Sequence, residues 1–301
     1  MFKLLSKETN IFSIPVYIFL LFLLIVYFNV LNFNRLDVFS DILTFCGFAL
    51  GYFIFNALGL NYNTHLPLVL YSISVFALYP GSLDIGIAMS LFTNSFVIYL
   101  LASDNEQVRK NSFLIIGSIL ALNYIFLPTT WPMFIFVFVH LISTANRIGL
   151  NIFRYFFGIS LVFGTYFGIM YISGYTEFDE RYIPLVLDKL STDFYPLYIL
   201  LPIALFVLYS ISDHFAHFNM KSPRSRFQYN FLLFFFLAQL ITVFLYMGKS
   251  YEYLLLLVLP NIIIIARGLR FLKKYWMKEL TFWVITFSLL AYKAASLFQQ
   301  I

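Results

Sequence analysis

Hydrophobic residues in this chain fall into eleven long runs parted by short polar connectors, beginning at Ile11 and continuing towards Ile301. The runs are continuous and lack the in-and-out alternation of a barrel strand. Each is therefore expected to be a helix crossing a bilayer, where backbone groups must pair within their own segment. The expected spans are 11–33, 42–60, 65–80, 85–103, 113–128, 132–146, 155–173, 196–212, 227–247, 251–266 and 280–297. The fold class that follows is all-α, a polytopic transmembrane helix bundle. No linker divides it, so residues 1–301 form one integral membrane domain with a long outer connector at 174–195.

Charge orients the bundle. With the N-terminus in the cytoplasm, all but five of the 19 Lys and Arg residues lie on the inner side, and only Arg35, Arg181, Lys189, Lys249 and Lys293 remain elsewhere. This obeys the positive-inside rule and sets the C-terminus outside. The connector Asn61–His65 carries no Lys or Arg. Spans 42–60 and 65–80 can therefore also be drawn as a hairpin that does not cross, and nine crossings satisfy the charge count as well as eleven. Lys3 and Lys7 precede the first run, and Asn32, Asn34 and Arg35 follow it without a small-residue cleavage pattern. The first span is read as uncleaved.

Composition excludes a water-soluble domain, because 61% hydrophobic and 11% charged residues stand against about 25% charged in soluble domains. The net charge of +5 is accounted for by the inner connectors, so membrane lipids are the expected partners and nucleic acid is not. The lone Cys46 permits neither an internal disulfide nor a cysteine metal site.

Several outer ends look recessed. The runs before Pro80-Gly81-Ser82-Leu83-Asp84 and before Pro128-Thr129-Thr130-Trp131-Pro132 are short for a bilayer. Either the bilayer thins there or the helix ends lie below the surface and floor an outward-facing cavity lined by Asp84, Thr129 and Thr130. In the connector 174–195, the apolar stretch Tyr182–Leu187 is either an interfacial turn in a solvated loop or a lid.

Candidate chemistry is sparse. Asp37 and Asp41 follow the first span four residues apart, and share a face if that connector is helical. Such a pair can act as a base, hold a divalent cation, or simply cap and solvate a helix start. His140 lies among apolar neighbours in the sixth span, as a hydrogen-bonded interhelical residue or a substrate contact. Asn123, Gln239 and Asn261 are read as interhelical glue. Asp213-His214-Phe215-Ala216-His217 is placed in an inner loop, as polar surface in preference to a metal site. The basic run Arg267–Lys278 is explained by topology and anionic headgroups, with a phosphate-bearing ligand as the lesser alternative. Glycine-rich phosphate loops, HExxH and a nucleophile elbow are absent, so no cofactor is expected. Lys293 is the one strongly basic residue deep in a span, which disfavours ion-coupled transport.

Asn63-Thr64-His65-Leu66-Pro67, Tyr79-Pro80-Gly81-Ser82, and Ala145-Asn146-Arg147 through Phe153-Arg154-Tyr155 together resemble an uncharacterised family of polytopic inner-membrane proteins of Bacteroidota. The resemblance implies a multi-pass protein of the bacterial inner membrane. More remotely, the layout is similar to that of GT-C-type polyprenyl-phosphate-dependent glycosyltransferases, whose catalytic acid sits in the first outer loop, where Asp37 and Asp41 stand. The first outer loop is shorter than in those enzymes, and their large soluble outer domain is missing. Two functions are therefore expected. One is a scaffold or accessory subunit contacting other envelope membrane proteins. The other is a transferase or binder of a polyprenyl-phosphate lipid, with Asp37 or Asp41 as base and Asp84, Thr129, Thr130 and His140 about the cavity.

Overall fold

The computed structural model describes residues 2–29, 35–58, 64–103, 106–144, 147–175, 182–183 and 197–299. Every apolar run of the sequence contains a helix. In order these are α2 (Ser13–Asn29), α3 (Arg35–Ala57), α4 (His65–Leu78), α5 (Ile85–Leu101), α7 (Phe113–Phe126), α8 (Pro132–Thr144), α9 (Ile148–Ile172), α10 (Leu201–Ala216), α11 (Pro223–Tyr246), α12 (Leu255–Phe271) and α13 (Tyr275–Gln299). Two short helices, α1 (Phe2–Leu5) and α6 (Glu106–Asn111), lie in connectors. Among the described residues, five helical segments are long and apolar enough to cross a membrane: Val38–Phe55, Ile148–Ile172, Leu197–Ala216, Pro223–Tyr246 and Tyr251–Phe271.

Several helices outrun their apolar stretch. Helix α3 starts at Arg35, so Asp37 and Asp41 belong to its first turns and not to a connector. Acidic side chains there complement the exposed N–H groups of a helix start. Helix α12 continues to Phe271 and takes in Arg267 and Arg270, and α10 runs to Ala216, which makes Asp213 and His214 helical where a loop was expected. A polar turn keeps its backbone hydrogen bonds whatever its hydropathy, so apolar runs underestimate helix length.

Helix α12 is the hub, packed against α4, α5, α10, α11 and α13. Within its apolar stretch 83% of residues are buried, against 11% in α9 at the periphery. Around the hub, α2 packs on α3, α3 on α5, α5 on α7 and α7 on α9, while α8 lies on α11. Lipid supplies no hydrophobic drive between helices, so close approach depends on small residues. Gly117 on α7 faces the Tyr155 carbonyl of α9, and Gly158 on α9 faces the Leu114 carbonyl of α7, so that a Cβ at either position would overlap backbone oxygen. Several buried hydroxyls bond back within their own helix. Ser90, Ser95, Thr242 and Thr286 each donate to the carbonyl four residues earlier.

Hydrogen bonds between connectors sort the helix ends into two sets. At one end, Gln228 Nε2 donates to the Ala102 carbonyl at 2.9 Å, His65 N–H to the Lys7 carbonyl at 3.3 Å, and Arg154 to Asn111 at 3.4 Å. This end gathers most of the Lys and Arg residues, and is termed the basic end. At the other, Asn29 reaches Tyr79, Asp84 meets Glu252 and Trp131 meets Tyr246. With 14 residues, α4 is only about 21 Å long at 1.5 Å per residue, less than the ~30 Å of a hydrocarbon core.

Candidate functional site

At the end opposite the basic one, side chains close over the last turn of α4. Its C-cap, Tyr79, is buried. Lys293 of α13 donates to the Tyr79 carbonyl at 2.6 Å, meeting an acceptor that the ended helix leaves open, and its ammonium lies 4.4 Å from the Phe28 ring centre. Asn29 donates through Nδ2 both to the Tyr79 hydroxyl at 2.7 Å and to Asp41 Oδ1 at 2.9 Å. Asp41 is half-buried, and its carboxylate joins α3 to the ends of α2 and α4. Asp37 shares α3, but its side chain lies outside the described residues.

Asp84 and Thr129 meet a common dipeptide. Asp84 is an exposed N-cap whose Oδ1 accepts from the Gly86 N–H at 2.7 Å, while its own N–H donates to Glu252 Oε2 at 3.1 Å. Thr129 lies in a 3₁₀ turn before α8, with its hydroxyl 3.2 Å from that of Tyr253. Trp131 donates to the Tyr246 hydroxyl at 2.7 Å beside them. Thr130 turns inward instead, donating to the Leu127 carbonyl at 2.8 Å. Glu252 and Tyr253 were not singled out from the sequence. The signal available for them is an acid at the start of the otherwise apolar run 251–266.

His140 belongs to neither group. It is buried where α8 meets the start of α11, its ring 5.5 Å from that of Phe227 and 4.9 Å from that of Phe231, towards the basic end. Asn123 accepts from Ser90 at 2.7 Å and so joins α5 to α7. Gln239 is fully buried, with no hydrogen bond among the described residues for either amide atom.

At the basic end, His214 stacks on Tyr229 with ring centres 3.8 Å apart, and its Nδ1 lies 3.0 Å from Lys221 Nζ. Arg267 donates to Ser225 Oγ at 2.7 Å and spreads over the Tyr229 ring at 4.9 Å. Burial, and then the Arg267 guanidinium, hold the Lys221 ammonium below the usual lysine pKa. His217 turns away to Asp213 at 3.1 Å, and no group of three or more metal-ligating side chains occurs among the described residues.

A cavity of about 690 Å³ also opens at the basic end, between α1, α4, α12 and α13. Lys3, Arg270 and Lys278 bring three cations to its wall, and Ser6, Thr64 and Tyr275 bring hydroxyls. Phe2, Leu66, Pro67 and Ala266 supply apolar surface. Lys278 is fixed by donating to the Arg270 carbonyl at 2.8 Å, near the C-terminal end of α12. Helix α1 is held in place by its backbone. Phe2 N–H donates to Glu279 at 2.9 Å and Lys3 N–H to the Tyr275 hydroxyl at 3.3 Å. In the sequence these cations read as topology charges. Their convergence depends on segments more than 250 residues apart in the chain, such as Lys3 and Lys278.

No curated protein and no solved structure matches the chain. One family model covers residues 1–300, and the chain therefore belongs to DUF6427, a family of unknown function.

Proposed function

We propose that this protein is a scaffold or accessory subunit of an envelope complex in the inner membrane of a bacterium of the Bacteroidota. In this reading it crosses eleven times, with the basic end and N-terminus in the cytoplasm and the C-terminus outside. The observation that carries it is the engagement of Asp41, the better described of the two candidate bases, in a bond from Asn29 that ties helix ends together. The bond gives Asp41 a structural role that needs no substrate. Asp84 likewise spends one oxygen on capping α5.

A second reading is favoured by the convergence of Asp84, Glu252, Tyr253 and Thr129 at the opposite end. In it the chain is a GT-C-like transferase or binder of a polyprenyl-phosphate lipid, with Asp37 or Asp41 as base, Asp84 and Thr129 shaping an outward-facing site, and a divalent cation as an optional ligand; His140, near the basic end, and the inward-turned Thr130 take no part in it. Complementation separates the two. Cells lacking the gene and expressing the Asp37→Asn/Asp41→Asn double variant at wild-type level are expected to recover growth and their normal envelope glycans. A fall in a lipid-linked glycan of about 10²–10⁴-fold, the usual size of a general-base contribution, would overturn the scaffold in favour of the transferase.

A further inference from the structure

Positive charge at a cytoplasmic membrane face is ordinarily a topology signal and needs no ligand. A walled cavity is not part of that signal. Here Lys3, Arg270 and Lys278 converge on a space of about 690 Å³, within the range of natural small-molecule sites. The nearby carboxylate of Glu279 does not line it and is engaged by the Phe2 N–H and, at 3.1 Å, by the Tyr275 hydroxyl. The wall combines these cations with apolar surface from Phe2 and Leu66. A bare phosphate would meet the cations but leave the apolar surface and most of the volume unused, whereas a neutral lipid would bring no anion to a wall with three cations. Guanidinium and ammonium groups together suit a phosphate ester.

We infer that the cavity between α1, α4, α12 and α13 is a binding site for one phosphate-bearing amphiphile, its phosphate held by Lys3, Arg270 and Lys278 and its first apolar carbons laid against Phe2 and Leu66. The site lies at the opposite end from Asp41 and Asp84, and so does not depend on which reading of those acids holds.

Purified wild-type protein in phosphatidylcholine nanodiscs, given trace diazirine-labelled dioleoyl phosphatidylglycerol, tests this. Illumination should cross-link the lipid to peptides containing residues 2–6 and 264–280, saturably, and unlabelled phosphatidylglycerol should compete. Labelling spread over the lipid-facing surface of α9 instead would overturn the site. The Lys3→Gln/Arg270→Gln/Lys278→Gln variant should lose about a hundredfold in affinity, at roughly fivefold per interfacial cation. An Arg147→Gln/Lys273→Gln/Lys274→Gln variant, with the same charge change outside the cavity, should lose less than about a tenth of that. Equal losses in both would reduce the effect to surface attraction and overturn the proposal. Inorganic phosphate at tens of millimolar should displace little lipid. Full displacement would reassign the cavity to free phosphate.

Discussion

Lys293 and Tyr79 lie 214 residues apart, yet the lysine ammonium donates to the tyrosine carbonyl at 2.6 Å, across the end of a helix too short for the bilayer. The bond answers two needs at once, a partner for an open carbonyl and a partner for a buried cation. Lys293→Met, which keeps the stem and removes the charge, is expected to destabilise the bundle by about 2 kcal/mol, the range for hydrogen bonds from charged groups. Lys249→Met, at an exposed position, should stay within about 0.5 kcal/mol. Thermal unfolding in one detergent compares them, and equal melting temperatures would show the bond to contribute nothing.

The α7–α9 contact should tolerate no added carbon. Gly117→Ala and Gly158→Ala each push a methyl into a facing backbone carbonyl, whereas the sites of Gly164 and Gly168 are open. The first two are expected to cost about 1–3 kcal/mol, as overpacking does. Ala at Gly164 should be neutral or slightly stabilising, since Ala is the better helix former. Proteolysis at the ends of α9 under mild heating would report the difference.

Orientation is open to direct labelling. In a Cys46→Ser background, Ser222→Cys and Lys273→Cys at the basic end should resist an impermeant maleimide in spheroplasts, and Ser82→Cys and Ser250→Cys should react. The reverse pattern would invert the assignment of the two ends.

Stability should rise with alkaline pH through Lys221. Its folded pKa is lowered by burial and by Arg267, so the unfolded chain holds this proton more firmly than the native one. The cost of the charge is complete below the depressed folded value. It fades as pH climbs through that value towards the ordinary 10.5, above which both states are neutral. Lys221→Met should flatten this part of the profile relative to wild type. Parallel profiles would remove the effect.

Legibility in the sequence tracked the range of each interaction. The eleven helices were visible because an apolar run is local and backbone pairing in lipid leaves one solution. The polar first turns of α3 and α13 were not visible, because hydropathy falls there while helical hydrogen bonding does not. The candidate acids could be noticed as types, but not the company they keep. Asn29, Asp41 and Tyr79 come from three helices and meet only in the folded bundle, and nothing near Glu252 announces Asp84. The cavity was the least legible of all, since residues 2–6, 64–67 and 266–278 form it only after the bundle has closed.

The enclosure of α12 has a consequence for synthesis. It is the tenth apolar run to leave the ribosome, yet it occupies the middle of a bundle whose earlier members surround it. Until residues 251–271 are made, α4, α5, α10 and α11 must face a centre that only lipid or the insertion machinery fills. A chain stopped before Tyr251 would hold nine of the eleven apolar runs and be hollow at its axis. Such a chain is a natural target for membrane quality-control proteases, and premature stops late in the gene should leave no protein in the cell.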